Sequence, residues 1–223
     1  MSWVEIPIPV IRHGQFNGPG AHNHDYPNFV ASLSDESTRY PITAEGKVQT
    51  DKVLKQIPTY QQTGVIYASQ FLRTQETAQI ISSRIESETG RGVKIVVTDL
   101  LNPIWMPPNS LSVDEYYRLR QTSETAVADE MFLRWADGQI GEPPEMVAAR
   151  IEKLLTYLKD TSSARPMVIT HASLASAMLR HVQGSDLRNP RNPEQILKTA
   201  GCYILVVDNN RLGLDTAREN FLA

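Results

Sequence analysis

The sequence predicts an α/β protein with a mostly parallel sheet and helices on both faces, organised as one domain over residues 1–223. Three observations lead there. Short runs rich in β-branched residues alternate with longer segments of helical periodicity, the order that builds a parallel sheet with crossover helices. No internal repeat or low-complexity tract interrupts that alternation. At 223 residues, 41% of them hydrophobic, the chain can fill one full-sized core.

Taken in order, Ile6 to Ile11 is an apolar strand, although Pro7 and Pro9 remove two amide donors from it. Thr43 to Ile57 is a helix with Thr43 as N-cap and Val48, Val53, Leu54 and Ile57 along its apolar stripe. Gly64 to Ala68 is a buried strand, after which Ser69 is placed to cap a helix running through Leu72, Ala78, Ile81 and Ile85. Val93 to Val97 is a third strand. Pro143 to Leu158 is a helix with proline in its first turn, Pro166 to Thr170 a fourth strand, Ser173 to Val182 a helix, and Cys202 to Val207 a fifth strand.

Two segments stand apart. Residues 17–40, rich in Gly, Pro, Asn, His and Ser, read as a flap inserted after the first strand. Residues 103–141 carry the loop PIWMPPN and then an amphipathic stretch with Val113, Tyr116, Tyr117, Leu119, Met131, Phe132 and Trp135, which reads as a helical cap over a pocket. The aromatic and Met side chains there, with Trp105 and Met106, are expected to pack the core and cap.

Composition narrows the function classes. A formal charge of -3 lacks the basic excess of a nucleic-acid binder. The single cysteine, Cys202, allows neither an intramolecular disulfide nor a cysteine zinc cluster and suits a reducing cytoplasm. No stretch approaches the ~18 apolar residues of a membrane span, and the first residues lack the pattern of a secretory leader, so a soluble, cytoplasmic protein is expected. Oligomeric state is not legible.

In open α/β sheets, ligands bind beyond the carboxyl ends of the strands. Arg12 and His13 follow the first strand, Arg73 opens the helix after the second, and His171 follows the fourth. Singly, each has an ordinary reading: Arg73 with Glu76 could form a solvated pair, and His171 could cap a helix. Together they form a cationic focus in a mildly acidic protein, which costs stability unless an anion offsets it.

VIRHG, PITAEGKVQT, ASQFLRTQETAQII, GEPPEMVAARI and VITHAS, in that order between Val10 and Leu179, resemble the histidine phosphatase superfamily, in its branch 1 with phosphoglycerate mutases and small cytoplasmic phosphatases. The resemblance implies a three-layer α/β/α sandwich, phosphoglycerate mutase-like, and phosphoryl transfer through a phosphohistidine with no metal and no cofactor. In that scheme His13 is the nucleophile, and Arg12 and Arg73 hold phosphoryl oxygens with their planar forks. His171 donates to a further oxygen, and the amide of Ala172 adds to the same side. Asn17 is the stand-in for a substrate-binding asparagine of the family.

This chain departs from the family pattern in several places. Asn102 occupies the position of the usual glutamate general acid, and asparagine cannot donate a proton; Asp99, Asp114 and Glu115 are the nearby candidates to replace it. Gln15 and Phe16 follow RHG where a small hydroxyl residue is frequent, and Ala172 follows His171 where glycine is frequent. His22, His24 and Asp25 in AHNHD read as part of a polar flap rather than as metal ligands. The expectation is a metal-independent phosphatase acting on a small phosphomonoester or phosphoramidate. The alternatives are a mutase-like phosphotransferase, or a catalytically weak module that binds phosphate or a phosphorylated protein.

Overall fold

The computed structural model describes residues 6–18, 26–33, 38–123, 126–188, 201–208 and 211–214. Its strands are β1 (Ile6–Arg12), β2 (Val65–Ala68), β3 (Lys94–Val97), β4 (Pro166–Thr170), β5 (Cys202–Asp208) and β6 (Arg211–Leu214). Its helices are α1 (Tyr26–Ser32), α2 (Ala44–Gln56), α3 (Leu72–Thr89), α4 (Val113–Thr122), α5 (Ala126–Ala136), α6 (Pro144–Asp160) and α7 (Ala172–Val182). The strands form one 6-stranded sheet in the order β3-β2-β4-β1-β5-β6. β3, β2, β4 and β1 are parallel, and β5 runs antiparallel to both β1 and β6, so the sheet is mixed but mostly parallel.

Alternation along the strands creates the layers. Val10, Tyr67 and Val168 point to one face and pack with Val147, Ile151 and Leu154 of α6 and Leu174 and Met178 of α7. Their neighbours Ile11, Ile66 and Ile169 point to the other, against Val53 and Leu54 of α2 and Ala78, Ile81 and Ile85 of α3. The result is the expected α/β/α sandwich. Each fully buried Ile or Leu contributes roughly 1.5–3 kcal/mol.

The prolines of β1 are tolerated for a positional reason. β1 pairs with β4 only from Val10 to Arg12, so Pro7 and Pro9 lie outside that register. Thr43 caps α2 as expected, accepting from the Gly46 amide at 3.0 Å, and Pro144 opens α6. Val48, by contrast, is exposed, and the apolar face of α2 rests on Val53, Leu54 and the following Ile57.

The segments expected as flap and cap contain more structure than their composition suggested. α1 lies within residues 17–40, and its Phe29 stacks on Tyr116 of α4 with ring centroids 5.1 Å apart. Leu111, Val127 and Met131 complete this separate apolar cluster, so the two segments pack against each other. Tyr116, Met131 and Trp135 are buried as core residues, whereas Trp105 and Tyr117 are exposed.

Two glycines bring the end of β1 against the start of α2. A Cβ on Gly14 would sit 2.4 Å from the Gly46 carbonyl oxygen, and one on Gly46 would sit 2.1 Å from that of Gln15. Any larger residue at either point would push the segment after His13 away from the sheet edge.

Candidate active site

The crevice at the carboxyl ends of β1, β2 and β4 gathers side chains from three separate stretches of sequence. His13 follows β1, and its backbone N–H donates to Thr170 O of β4 at 3.0 Å, holding it at the strand end. Arg73 lies in the first turn of α3, and His171 sits between β4 and α7 as the helix N-cap residue. All three are buried, His13 and His171 at 3% exposure and Arg73 at 6%. The histidine rings meet edge to face with centroids 5.0 Å apart.

The hydrogen bonds define the protonation of His13. Its Nδ1 lies 2.8 Å from Gly14 O. A carbonyl oxygen only accepts, so the ring proton is on Nδ1. Arg73 Nε donates to His13 Nε2 at 3.2 Å, which agrees, because Nε2 must then carry a lone pair. Burial first, and then the charges of Arg73 and Arg12, hold the His13 imidazole well below its ordinary pKa of 6.5; the Gly14 bond opposes this only in part. His13 is therefore neutral at physiological pH.

Arg73 is clamped between two aromatic rings, its guanidinium carbon 4.6 Å from the centroids of both Phe16 and Phe71. One ring flanks each histidine: Phe16 meets His13 at 5.5 Å and Phe71 meets His171 at 4.8 Å. Burial, and then the charge of Arg12, push Arg73 down to about 9, and burial alone pushes Arg12 down to about 10. Both remain cations at neutral pH. His171 is likewise depressed well below 6.5, by burial first and then by Arg73, His13, Arg12 and Arg150. The site thus pairs two neutral imidazoles with a convergent positive potential.

A model of the histidine phosphatase superfamily (branch 1) matches residues 8–220. The chain belongs to that superfamily. No curated protein sequence matches it. Among solved structures it is similar to YhfR of Bacillus stearothermophilus, at 18% identity and TM-score 0.65 over 94% of this chain and 95% of that one. It is also similar to the phosphoglycerate mutase of Bacillus anthracis str. Sterne, at 17% identity and TM-score 0.61 over 96% and 92% of the two chains. A third is a mycobacterial glucosyl-3-phosphoglycerate phosphatase, at 17% identity and TM-score 0.59 over 93% and 97%. Likeness at such identity establishes the shared fold.

Against the histidine phosphatase pattern, the other expected site residues divide. Arg12 joins the cluster electrostatically, its charge acting on His13, Arg73 and His171. Asn17 is exposed, and its backbone N–H donates to Pro41 O at 2.7 Å. Ala172 begins α7. Gln15 is tied to α2: its amide donates to Gln49 Oε1, and its carbonyl and side-chain oxygens accept from Thr43. Glu76, read as a possible partner of Arg73, instead accepts from the Ile42 amide at 2.7 Å.

The position expected to hold the acid has a structural role. Asn102 Oδ1 accepts from the Gln70 amide at 3.1 Å, and its Nδ2 donates to Gln70 Oε1 at 2.9 Å, clasping the loop after β3 to the loop after β2. Glu115 is committed elsewhere. It forms a capping box with Ser112, pairs with Arg134 at 2.8 Å, and is held down to about 2, largest first by the Arg134 bond. Asp99 and Asp114 are exposed on a short turn and at the start of α4. His22, His24 and Asp25 lie outside the described residues. Among the described residues, no three His, Cys, Asp or Glu side chains converge in a way that could hold a metal ion, and no helix is long and apolar enough to cross a membrane.

Ser69 corrects the sequence reading. α3 begins at Leu72 with Phe71 at its N-cap position and no side-chain cap. Ser69 is instead fully buried and bonds His171 Nε2 at 2.8 Å. Thr77 is a further unanticipated member: it donates to Arg73 O at 2.7 Å and accepts from the Gly14 amide at 3.3 Å, tying α3 to the turn that holds His13.

Proposed function

We propose that this protein is a metal-independent phosphatase that moves a phosphoryl group from a small phosphomonoester or phosphoramidate to His13, and then to water. The observation that carries this reading is the bond from His13 Nδ1–H to Gly14 O. It commits the ring proton to Nδ1 and leaves the Nε2 lone pair facing the cationic cluster.

In the first step the Nε2–P bond forms as the bond from phosphorus to the leaving oxygen or nitrogen breaks, the leaving atom taking the bonding pair and, unless it is a stable anion, a proton from the substrate monoanion or solvent. Arg12 and Arg73 hold the non-bridging oxygens, and His171 donates to the transferring group. The N–H groups of the first turn of α7, beginning with Ala172, have no intrahelical acceptors and add their dipole to the same side. Asn17, at the exposed end of the β1 segment, contacts the part of the substrate beyond phosphorus. In the second step water attacks phosphorus, the Nε2–P bond breaks with its electron pair returning to His13, and the proton released from the water stays on the phosphate or passes to solvent. Cys202, buried with its thiol pushed up to about 12, is unreactive and suits a reducing cytoplasm.

The engagement of both amide atoms of Asn102 by Gln70 favours one rival reading, a phosphate- or phosphoprotein-binding module with little turnover. Hydrolysis of p-nitrophenyl phosphate in EDTA separates the two. A phosphatase turns over in the presence of chelator and yields, on quenching without acid, an acid-labile, base-stable phosphoryl adduct that His13→Ala abolishes together with activity. Normal turnover by His13→Ala would sink the mechanism.

A further inference from the structure

The two hydroxyls behind His171 form a chain whose hydrogens can be assigned one by one. Thr74 Oγ1 lies 2.7 Å from Phe71 O and 3.1 Å from Ser69 O, so its single hydrogen goes to a carbonyl. It therefore accepts from Ser69 Oγ, 2.7 Å away. With its own hydrogen used there, Ser69 Oγ can only accept: from the Phe71 amide at 3.2 Å and from His171 Nε2 at 2.8 Å. His171 Nε2 must then carry the ring proton. The opposite side of the ring agrees independently, because Arg73 Nη2, which can only donate, lies 3.4 Å from His171 Nδ1.

In this tautomer the neutral ring aims a lone pair, not an N–H, into the phosphoryl site. An oxyanion arriving there would meet Nδ1 as a repulsive neighbour. We propose that Ser69 and Thr74 are positioning residues that hold His171 as its Nε2–H tautomer, so that an oxyanion enters the site together with one proton, which is taken up on Nδ1. This deepens the phosphoryl-transfer reading and rests on it. The imidazolium so formed donates through Nδ1 to the oxyanion while Nε2–H stays on Ser69. For a phosphomonoester the proton comes from the substrate monoanion or from solvent, and His171 gains it without any change at His13.

The groups whose charge acts on His171 are Arg12 at the end of β1, Arg73 on α3 and Arg150 on α6, beside the His13 ring, with Ser69 and Thr74 neutral. Every charged member of that set is a cation. An empty site therefore disfavours the added proton, and a bound dianion reverses the preference.

Inorganic sulfate, a dianion throughout the neutral range, is the probe, and no turnover is needed. Its affinity should fall about tenfold between pH 6.5 and 7.5, with about one proton taken up per sulfate bound. Calorimetry in buffers of different ionisation enthalpy reads the uptake directly. Thr74→Val, which preserves shape, frees the Ser69 hydroxyl to turn toward Nε2 and lets the neutral ring donate through Nδ1. Affinity should then change by less than about threefold over the same range, and Ser69→Ala should do likewise. His13→Asn should keep the wild-type slope. Sulfate binding independent of pH in the wild type overturns the proposal, as does loss of the slope in His13→Asn or its full retention in both hydroxyl variants. No sulfate binding at pH 6.5 would instead overturn the phosphoryl reading itself.

Discussion

Arg73 Nε donates to His13 Nε2 across 3.2 Å, so a guanidinium N–H occupies the ring lone pair that phosphoryl transfer requires. In the proposed mechanism a phosphoryl oxygen must draw that N–H away before Nε2 can reach phosphorus. Arg73 orients the resting ring and, in the proposed mechanism, then grips the substrate, with the Phe16 and Phe71 rings on either side of its guanidinium.

Arg73→Lys should lower kcat/KM toward p-nitrophenyl phosphate by about 10²–10³-fold, because a point charge reproduces neither the fork nor the stack. Phe16→Leu keeps apolar volume but removes one ring face, a contact of ~0.5–1 kcal/mol, so KM should rise by about two- to fivefold. Steady-state kinetics on the purified variants measures both. An Arg73→Lys enzyme of wild-type efficiency would remove Arg73 from the site.

The clasp of Asn102 on Gln70 leaves departing oxygens without a carboxylic acid at that position. General-acid assistance is worth ~10²–10⁴-fold and matters most for strongly basic alkoxides. Rates across a series of phosphate esters should therefore fall steeply as leaving-group pKa rises, with aryl phosphates far ahead of glycerol phosphate. Asn102→Glu should flatten that dependence by raising the slow members. A shallow dependence in the wild type that persists in Asp99→Asn and Asp114→Asn would locate the acid in another segment.

Both buried histidines shape stability against pH. Their pKa values lie well below 6.5 in the folded protein, so below about pH 6.5 the unfolded chain binds more protons than the folded one. The stabilisation is complete above that pH and is lost as pH falls, with a limiting slope of about 1.4 kcal/mol per pH unit for each histidine. Urea midpoints should drop between pH 7.5 and 5.5, and His171→Gln should weaken the drop. Equal or greater stability at pH 5.5 would contradict the buried, neutral state of both rings.

The sheet and the cationic cluster were legible because both follow from periodicity and placement. Arg12 and His171 stand where an apolar run ends, Arg73 opens the helix that follows one, and parallel topology brings such ends together. Other features were hidden by local ambiguity. A serine just ahead of a helical pattern reads as an N-cap, and only the start of α3 at Leu72 shows that Ser69 lies too far upstream. α1 was obscured by the Gly, Pro and Asn around it, and β6 is only 4 residues long. Glu115 was a missed opportunity, since Ser112 three residues ahead spells the S-x-x-E capping signature and marks it as a helix-start residue rather than a spare acid. Phe16 was visible only as a departure from a pattern; its stacking on Arg73 depends on a contact between distant segments.

β4 is the last of the parallel strands in the sequence, yet it lies between β1 and β2 in the sheet. While the chain is being synthesised, His13 and Arg73 emerge long before the strand that joins their two halves, and the edges of β1 and β2 that face β4 stay open until it arrives. Such non-local pairing is slow and leaves strand edges available to other chains. Insertion of β4 closes both edges and delivers His171 in the same event. On the proposed function, oxyanion binding during refolding should therefore report insertion of β4, and a ribosome-bound chain ending before Pro166 should lack that binding however much helix it has formed.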